Sequence, residues 1–192
     1  MSPEGSASLS PEMVIGDVGG NVTFSCSAQG GPGNEYQWQH NGVGMMSEMS
    51  NTLTIDNIGA VNGGSYTCVV SNAAGNDSAT ATLFVAPTIV TQPADILTRN
   101  GTVVNFTCEA ESFPTPEYQW EKYDETVDTF IIVSSDPVFE FSPAVFGDEG
   151  TYRCVASLPG TNRNDTSTQV VLTGRQMGYN IQAIFKLSFC SM

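Results

Sequence analysis

The side chains with chemical potential in this chain are five cysteines and a single histidine. Thiols form disulfides, bind metals or act as nucleophiles, and an odd count leaves one thiol over after pairing. His40 is the only candidate base for a histidine-dependent triad, and it stands in no catalytic motif. The sequence has no glycine-rich phosphate loop and no Cys/His cluster with metal spacing. We therefore expect no enzyme, metal, cofactor or small-molecule substrate.

The charge balance narrows the choice of partners. Twenty acidic residues stand against six Lys plus Arg, giving a net charge of -14. Residues 1–86 contain seven acids and no Lys or Arg. Such a surface repels phosphate backbones, so it argues against nucleic-acid binding. With no polybasic segment and no apolar run of spanning length, we expect membrane association only through parts of a longer protein.

The cysteines belong to an internal repeat. The separation from Cys26 to Trp38 equals the separation from Cys108 to Trp120. The two copies are therefore related by one constant offset at the cysteine and at the tryptophan. A long-period repeat of this kind indicates that one structural unit occurs twice.

A second motif completes each copy. Tyr66 stands two positions before Cys68, and Tyr152 stands two positions before Cys154. The offset between copies is larger here, because the second copy holds extra residues between Trp120 and its later cysteine. Residues two apart share one face of a β-strand. Each tyrosine and its cysteine are therefore predicted to point into the same core.

The stretches around these motifs alternate as strands do. "NVTFSC" (21–26), "EYQWQ" (35–39) and "TLTID" (52–56) have counterparts in "TVVNFTC" (102–108), "EYQWE" (117–121) and "VFEFS" (138–142). Glycine-, proline- and asparagine-rich turns separate them, and no helical period is sustained. Short strands with evenly spaced turns predict an all-β, two-sheet sandwich in each copy.

These residues closely resemble the I-set of the immunoglobulin superfamily. The fingerprint L-x-I-x-x-I-x-x-x-N-x-G-x-Y-x-C runs from Leu53 to Cys68, and the second copy repeats its spacing from Phe139 to Cys154. The resemblance implies two tandem immunoglobulin-like β-sandwiches joined by a very short linker. We predict domain 1 over 1–86, with disorder over 1–8, domain 2 over 87–174, and a disordered, non-repeat tail over 175–192.

The resemblance assigns roles to the repeated residues. It implies the disulfides Cys26–Cys68 and Cys108–Cys154, with core residues Trp38, Tyr66, Trp120 and Tyr152 packed around them. The alternative is reduced core cysteines, as in a cytosolic muscle-type immunoglobulin domain. Cys190 is left as an unpaired thiol. Asn62 stands where the family usually has Asp, so we expect neutral hydrogen bonds at that corner.

Five N-x-S/T sequons favour an extracellular or cell-surface location. Their asparagines are Asn21, Asn76, Asn100, Asn105 and Asn164. Residues 1–12 show no basic start and no apolar core, so no secretory signal is visible. We resolve this conflict by expecting a fragment or an isoform of a longer protein.

Recognition through a surface is then the expected function. Sequons on strand B of both copies would leave the C–F–G face freer, although we expect Asn76 at the edge of that face. This gives a possible binding face of Gln37, Gln39, Gln119, Glu121 and Arg153. Arg153 either anchors an acidic partner or pairs with Glu121 inside its own domain. For Met45, Met46 and Met49 we expect edge packing rather than a contact patch.

Three functions fit this sequence. One is an adhesion or recognition module that binds a protein partner, homophilic or heterophilic. The second is part of a signalling receptor of the tyrosine kinase or phosphatase type. The third is a structural spacer in a multi-immunoglobulin extracellular or muscle protein. The junction "VAPTIVTQP" (85–93) favours a semi-rigid link over a flexible hinge because Pro87 and Pro93 stiffen it.

Overall fold

The computed structural model describes residues 7–29, 33–73 and 75–175 of the 192-residue chain. The described part is all-β, which confirms the predicted fold class. Its strands are β1 (Ser8–Ser10), β2 (Met13–Gly16), β3 (Val22–Ser27), β4 (Glu35–His40), β5 (Val43–Met45), β6 (Thr52–Ile55), β7 (Gly64–Asn72), β8 (Gly75–Thr91), β9 (Ile96–Arg99), β10 (Val104–Thr107), β11 (Glu109–Phe113), β12 (Glu117–Asp124), β13 (Thr129–Ser134), β14 (Val138–Phe141), β15 (Gly150–Ser157), β16 (Asn164–Thr166) and β17 (Val170–Arg175).

The contacts divide the chain into two compact units. Unit 1 takes the residues up to Thr91 together with Glu109–Tyr118 and Val155–Thr166. Unit 2 takes Gln92–Cys108, Gln119–Cys154 and, within the described part, residues 167–175. The domain limits of 1–86 and 87–174 therefore stay a prediction from the repeat. Below, "first repeat" and "second repeat" mean these two sequence ranges.

Unit 1 is built on two sheets around one core. One sheet has the order β1-β3-β6, and the other runs β11-β8-β7-β4-β5 with β2 paired to β8 in parallel. Strand β3 alternates between buried and exposed residues along its whole length, which turns Phe24 and Cys26 inward. Cys26 on β3 is bonded to Cys68 on β7, so the predicted disulfide joins the two sheets. Trp38 is fully buried in the same cluster.

Unit 2 repeats this plan with a more aromatic core. Its sheets are β10-β14 and β13-β12-β15-β17-β9. The bond Cys108–Cys154 is present as predicted. Around it the rings of Phe106, Trp120 and Tyr152 pack closely, with 5.6 Å between the centroids of Phe106 and Trp120 and 5.5 Å between those of Phe106 and Tyr152.

The two ends of the described part refine the sequence interpretation. Ser8 of β1 pairs with Ser27 of β3, and the Ala7 amide donates a hydrogen bond to the Asp77 carboxylate at 2.7 Å. Ala7 and Ser8 lie in the segment 1–8 for which we predicted disorder. Residues 1–6 lie outside the described residues. At the other end β17 continues to Arg175. The rest of the predicted tail, including Cys190, lies outside the described residues.

Candidate functional site

The outward side of β4 and β7 is the first candidate surface, and we call it the β4 face. Trp38 points into the core with no exposed area, so its neighbours Gln37 and Gln39 point outward by strand alternation. The register places Gln37 opposite Val69 and Gln39 opposite Thr67. Because cross-strand partners share a face, these four side chains form one small surface, polar except for Val69.

Beside this face lies a groove of about 530 Å³, which we call the methionine groove. It is lined by Asn34, Glu35, Tyr36, Gln37, Met45, Met46, Glu48, Met49 and Ser71. Met45 packs against the core of unit 1, opposite Trp38 in the ladder. Met46 and Met49 are 86% and 76% exposed. The edge packing that we predicted therefore holds for Met45 and is wrong for the other two.

The reason lies in the path of the chain after β5. Strand β5 ends at Met45, and the segment that follows it turns away from the sheet, with the Glu48 amide donating to the Met45 carbonyl at 3.2 Å. Without strand alternation beyond Met45, nothing returns the next methionine side chains to the core. The result is a flexible apolar lining that faces solvent.

The groove also carries acidic and polar groups. Glu35 is exposed, Glu48 is half-buried, and both line the groove. Ser71 lies opposite Glu35 on β4 and opposite Asn76 on β8. Asn76 therefore shares the outward side of the sheet with the groove residue Ser71. A glycan at this sequon would stand beside the groove.

The matching surface of the second repeat is differently occupied. Arg153 Nε lies 2.6 Å from Glu121 Oε2, and the guanidinium carbon lies 3.9 Å from the centroid of the Phe130 ring. The arginine side chain is 33% exposed and the glutamate 16%. The intradomain pair that we considered as an alternative is thus present. Arg153 is held by its own sheet rather than offered as a lone cation, and Gln119 beside it is half-buried.

Both tyrosine corners form, and the first uses neutral groups. The Tyr66 hydroxyl donates to the Asn62 carbonyl at 2.7 Å, and Asn62 Oδ1 accepts from the Gly59 amide at 2.8 Å. His40 stacks on the Tyr66 ring with 4.5 Å between centroids and an angle of 13°. Burial raises the pKa of Tyr66 above its ordinary value.

The second corner is charged. The Tyr152 hydroxyl donates to the Asp148 carbonyl, and the Asp148 carboxylate accepts from the Val145 amide at 2.7 Å. Lys122 Nζ lies 5.4 Å from the centroid of the Tyr152 ring and donates to the Gly147 carbonyl at 2.8 Å. Burial, and then the Asp148 carboxylate, raise the pKa of Tyr152.

Sequence reasoning missed the pairing of these two ring-covering residues. His40 and Lys122 are related by the same offset that relates Trp38 and Trp120. The residue two positions after each tryptophan therefore covers the corner tyrosine of its own repeat. The repeat offset could have identified the pair.

The five sequon asparagines are exposed. Asn21 directly precedes β3, and Asn105 lies within β10, so both belong to the smaller sheet of their repeat. Glycosylation itself stays a prediction. The helices of the described ranges are two short 3-10 turns, Ala60–Asn62 and Phe146–Asp148. Neither turn is long or apolar enough to cross a membrane.

Comparison with known proteins places this geometry in a family. The family described as "Immunoglobulin domain" matches residues 5–72 and 86–157. "Cell adhesion molecule-related/down-regulated by oncogenes" of Xenopus laevis is 36% identical over 113 residues, which is 54% of this chain and 9% of that protein. "Roundabout homolog 3" of Homo sapiens is 31% identical over 162 residues, 76% of this chain and 12% of that protein. The chain thus spans only about a tenth of these relatives.

A solved structure shares the fold. The crystal structure of Dscam1 isoform 4.44, N-terminal four Ig domains, superposes with a TM-score of 0.65 at 20% identity, over 89% of this chain and 46% of that one. These are non-enzymatic domains, and the chain has the same architecture. Two matched regions, two cross-sheet disulfides and two tyrosine corners agree: the chain belongs to the immunoglobulin-domain family.

Proposed function

We propose that this chain is an extracellular protein-recognition module of a cell-adhesion or cell-surface protein. It binds a protein partner through the β4 face of the first repeat. The similarity to a relative named for cell adhesion supports the adhesion class. The signalling-receptor and spacer alternatives share the same fold, and fold alone does not choose among them.

One observation carries the choice of surface: Gln37 of the β4 face is exposed, whereas Arg153 and Glu121 on the matching surface of the second repeat bind each other. Gln37 is exposed and lines the methionine groove. In the second repeat, Arg153 is bound by Glu121 and stacked on Phe130. Charged groups already paired within a sheet have less to offer a partner, because binding must first break their contacts.

The sequons support the same surface. Asn21 and Asn105 lie on or next to strands of the smaller sheet in each repeat and are exposed. Glycans at these two positions would cover that sheet and not the β4 face, whereas a glycan at Asn76 would lie beside the methionine groove. Two cross-sheet disulfides and sequons together suit an oxidising, extracellular compartment.

The proposal is tested with secreted, biotinylated chain displayed on streptavidin tetramers and applied to cells of its own species. Trypsin treatment of the cells tells a protein partner from a lipid or glycan one. The test variant is Gln37→Lys plus Gln39→Lys on β4. The matched control is Ser25→Lys plus Ser27→Lys, two exposed positions with the same spacing on β3 and the same charge change, which leave the Asn21 sequon intact.

We expect trypsin-sensitive binding that falls at least tenfold in the β4 variant and stays within twofold in the β3 control. Equal losses in both variants would show that added positive charge alone disturbs binding. Unchanged binding in the β4 variant would overturn the assignment of this face.

A further inference from the structure

The methionine groove has features that specify a kind of partner. Its volume of about 530 Å³ lies within the range of specific binding pockets. Its apolar lining comes from Tyr36 and Met45, which pack against the core, and from Met46 and Met49, which are largely exposed to solvent. Methionine side chains are flexible and polarisable, and they are common on surfaces that adapt to a bound segment.

The charge around the groove is one-sided. Glu35 and Glu48 line it, and residues 1–86 provide seven acids and no Lys or Arg. The acids of the first repeat therefore have no Lys or Arg of their own repeat to neutralise them. Such a surface attracts and orients cationic side chains, and it raises their rate of encounter at low salt.

We propose that the methionine groove binds a basic segment of a heterologous protein partner, with Arg or Lys contacting the Glu35 and Glu48 carboxylates and apolar side chains resting on Met46 and Met49. This inference rests on the proposed function, and it names the partner class for the surface beside the β4 face. Arginine suits the site best, because its planar group can bind a carboxylate while its stem covers apolar surface.

A second copy of the chain fits the groove poorly. Each copy carries a net charge of -14, so self-association brings like charges together. Several bases of the described part are already engaged: Arg153 contacts Glu121, Lys122 binds the Gly147 carbonyl and Arg163 contacts Asp17. A homophilic contact that used one of these three basic side chains would first have to break its existing interaction.

The binding test uses fluorescein-labelled twelve-residue peptides and the whole chain, measured by fluorescence anisotropy. One peptide alternates Arg with Leu, the second alternates Glu with Leu, and the third alternates Arg with Ser. We expect the Arg/Leu peptide to bind best, the Arg/Ser peptide at least fivefold more weakly, and the Glu/Leu peptide not measurably. Equal binding of the two arginine peptides would remove the role of the methionines and overturn the inference.

Two pairs of variants locate the binding. Met46→Gln plus Met49→Gln should weaken binding of the Arg/Leu peptide about tenfold. The control Met13→Gln plus Val61→Gln, which alters two similarly exposed apolar residues elsewhere, should change this binding less than twofold.

The second pair of variants tests the charges. Glu35→Gln plus Glu48→Gln should weaken binding of the Arg/Leu peptide severalfold and reduce the salt dependence of that binding. The control Glu12→Gln plus Asp56→Asn removes the same charge at other exposed positions. Equal effects of the two apolar pairs would show non-specific apolar contact, and equal effects of the two acidic pairs would show diffuse charge attraction. Either result would overturn the inference.

The same variants in the cell-binding assay separate the two proposals. Loss of cell binding in the β4 variant together with normal binding in both groove variants would overturn the groove inference and leave the proposed function intact. Trypsin-sensitive cell binding that no face or groove variant changes would overturn the proposed surface itself. Self-association in sedimentation experiments that the groove variants abolish would make the occupant a second copy and overturn the heterophilic assignment.

Discussion

The two repeats use one framework with different side chains. Leu53 and Ile55 of the first fingerprint correspond to Phe139 and Phe141 at the same positions of the second. The second core therefore gains ring contacts that the first lacks, such as the 4.5 Å centroid separation between Phe139 and Phe141. The lesson is that the fingerprint fixes where a side chain points and leaves its chemistry open.

The surfaces differ in the same manner. The first repeat has neutral corner groups, no Lys or Arg, and an open groove. The second has Lys122 over its corner tyrosine and Arg153 engaged with Glu121. Lys122 and Arg153 of the second repeat thus serve its own structure, and Arg163 contacts Asp17 of the first repeat. The groove acids Glu35 and Glu48 have no ion pair among the described residues and are available to a partner. This contrast is the basis for placing recognition on the first repeat.

Removing a disulfide should have the largest effect on the free energy of unfolding, and the effect should be nearly the same in the two repeats. They close loops of 42 and 46 residues, and the chain-entropy relation gives about 4 kcal/mol of unfolding free energy for each. Replacing both cysteines of a pair by alanine should therefore cost the repeat concerned about this amount. Denaturant unfolding measures it, with each repeat followed by its own tryptophan in a Trp120→Phe or Trp38→Phe background. If one repeat lost less than half as much unfolding free energy as the other, the two disulfide frameworks would not be equivalent.

The core phenylalanines should show the next largest effect. Phe106 contacts the rings of Trp120, Phe141 and Tyr152, whereas its counterpart Phe24 has one ring contact within the described ranges, with Tyr66. Aromatic pairs contribute about 0.5–1.5 kcal/mol each beyond their buried area. Substitution by leucine should therefore destabilise the second repeat by about 1–2 kcal/mol more than the first. Equal losses of unfolding free energy would show that the ring contacts carry no extra stability.

The indole hydrogen bonds of the two tryptophans differ, and we expect this to change the cost of substitution by about 1 kcal/mol. Trp38 Nε1 donates to the Ser50 carbonyl at 2.8 Å, whereas the buried Trp120 Nε1 has no hydrogen-bond partner among the described residues. Trp38→Phe removes a hydrogen bond, and Trp120→Phe removes an unsatisfied donor. We expect the first substitution to cost about 1 kcal/mol more in thermal or denaturant unfolding. The opposite order would show that Trp120 Nε1 is satisfied in solution.

Alkaline titration should give the smallest contrast. Burial raises the pKa of both Tyr66 and Tyr152, and the Asp148 carboxylate raises that of Tyr152 further. Folding raises the pKa of such a tyrosine, so the unfolded phenol ionises at a lower pH than the folded one. The free energy of unfolding is therefore unaffected below the unfolded pKa of about 10, and it declines as pH rises from there to the folded pKa. We expect phenolate absorbance of Tyr66 to appear at a lower pH than that of Tyr152. Single Tyr→Phe variants assign the two signals, and the reverse order would contradict the charged corner.

The sequence could predict most of the framework. Strand alternation predicted the buried positions of Trp38 and Trp120, because burial follows from parity. The repeated Cys–Trp–Tyr–Cys spacing, through the family resemblance that it carries, predicted both disulfides. The exposure of Met46 and Met49 was not predictable this way, since the segment after β5 has no strand period. Sequence also left open whether Arg153 pairs with Glu121. That choice depends on the rotamers of two long side chains and on the Phe130 ring from another strand.

The central claim is that recognition lies on the β4 face of the first repeat rather than on the equivalent face of the second. Trypsin-sensitive cell binding tests it directly by comparing Gln37→Lys plus Gln39→Lys with Gln119→Lys plus Val155→Lys, which adds the same charge at outward positions of β12 and β15. The account predicts at least a tenfold loss for the first variant and less than twofold for the second. A loss confined to the second variant, or shared equally by both, would contradict it.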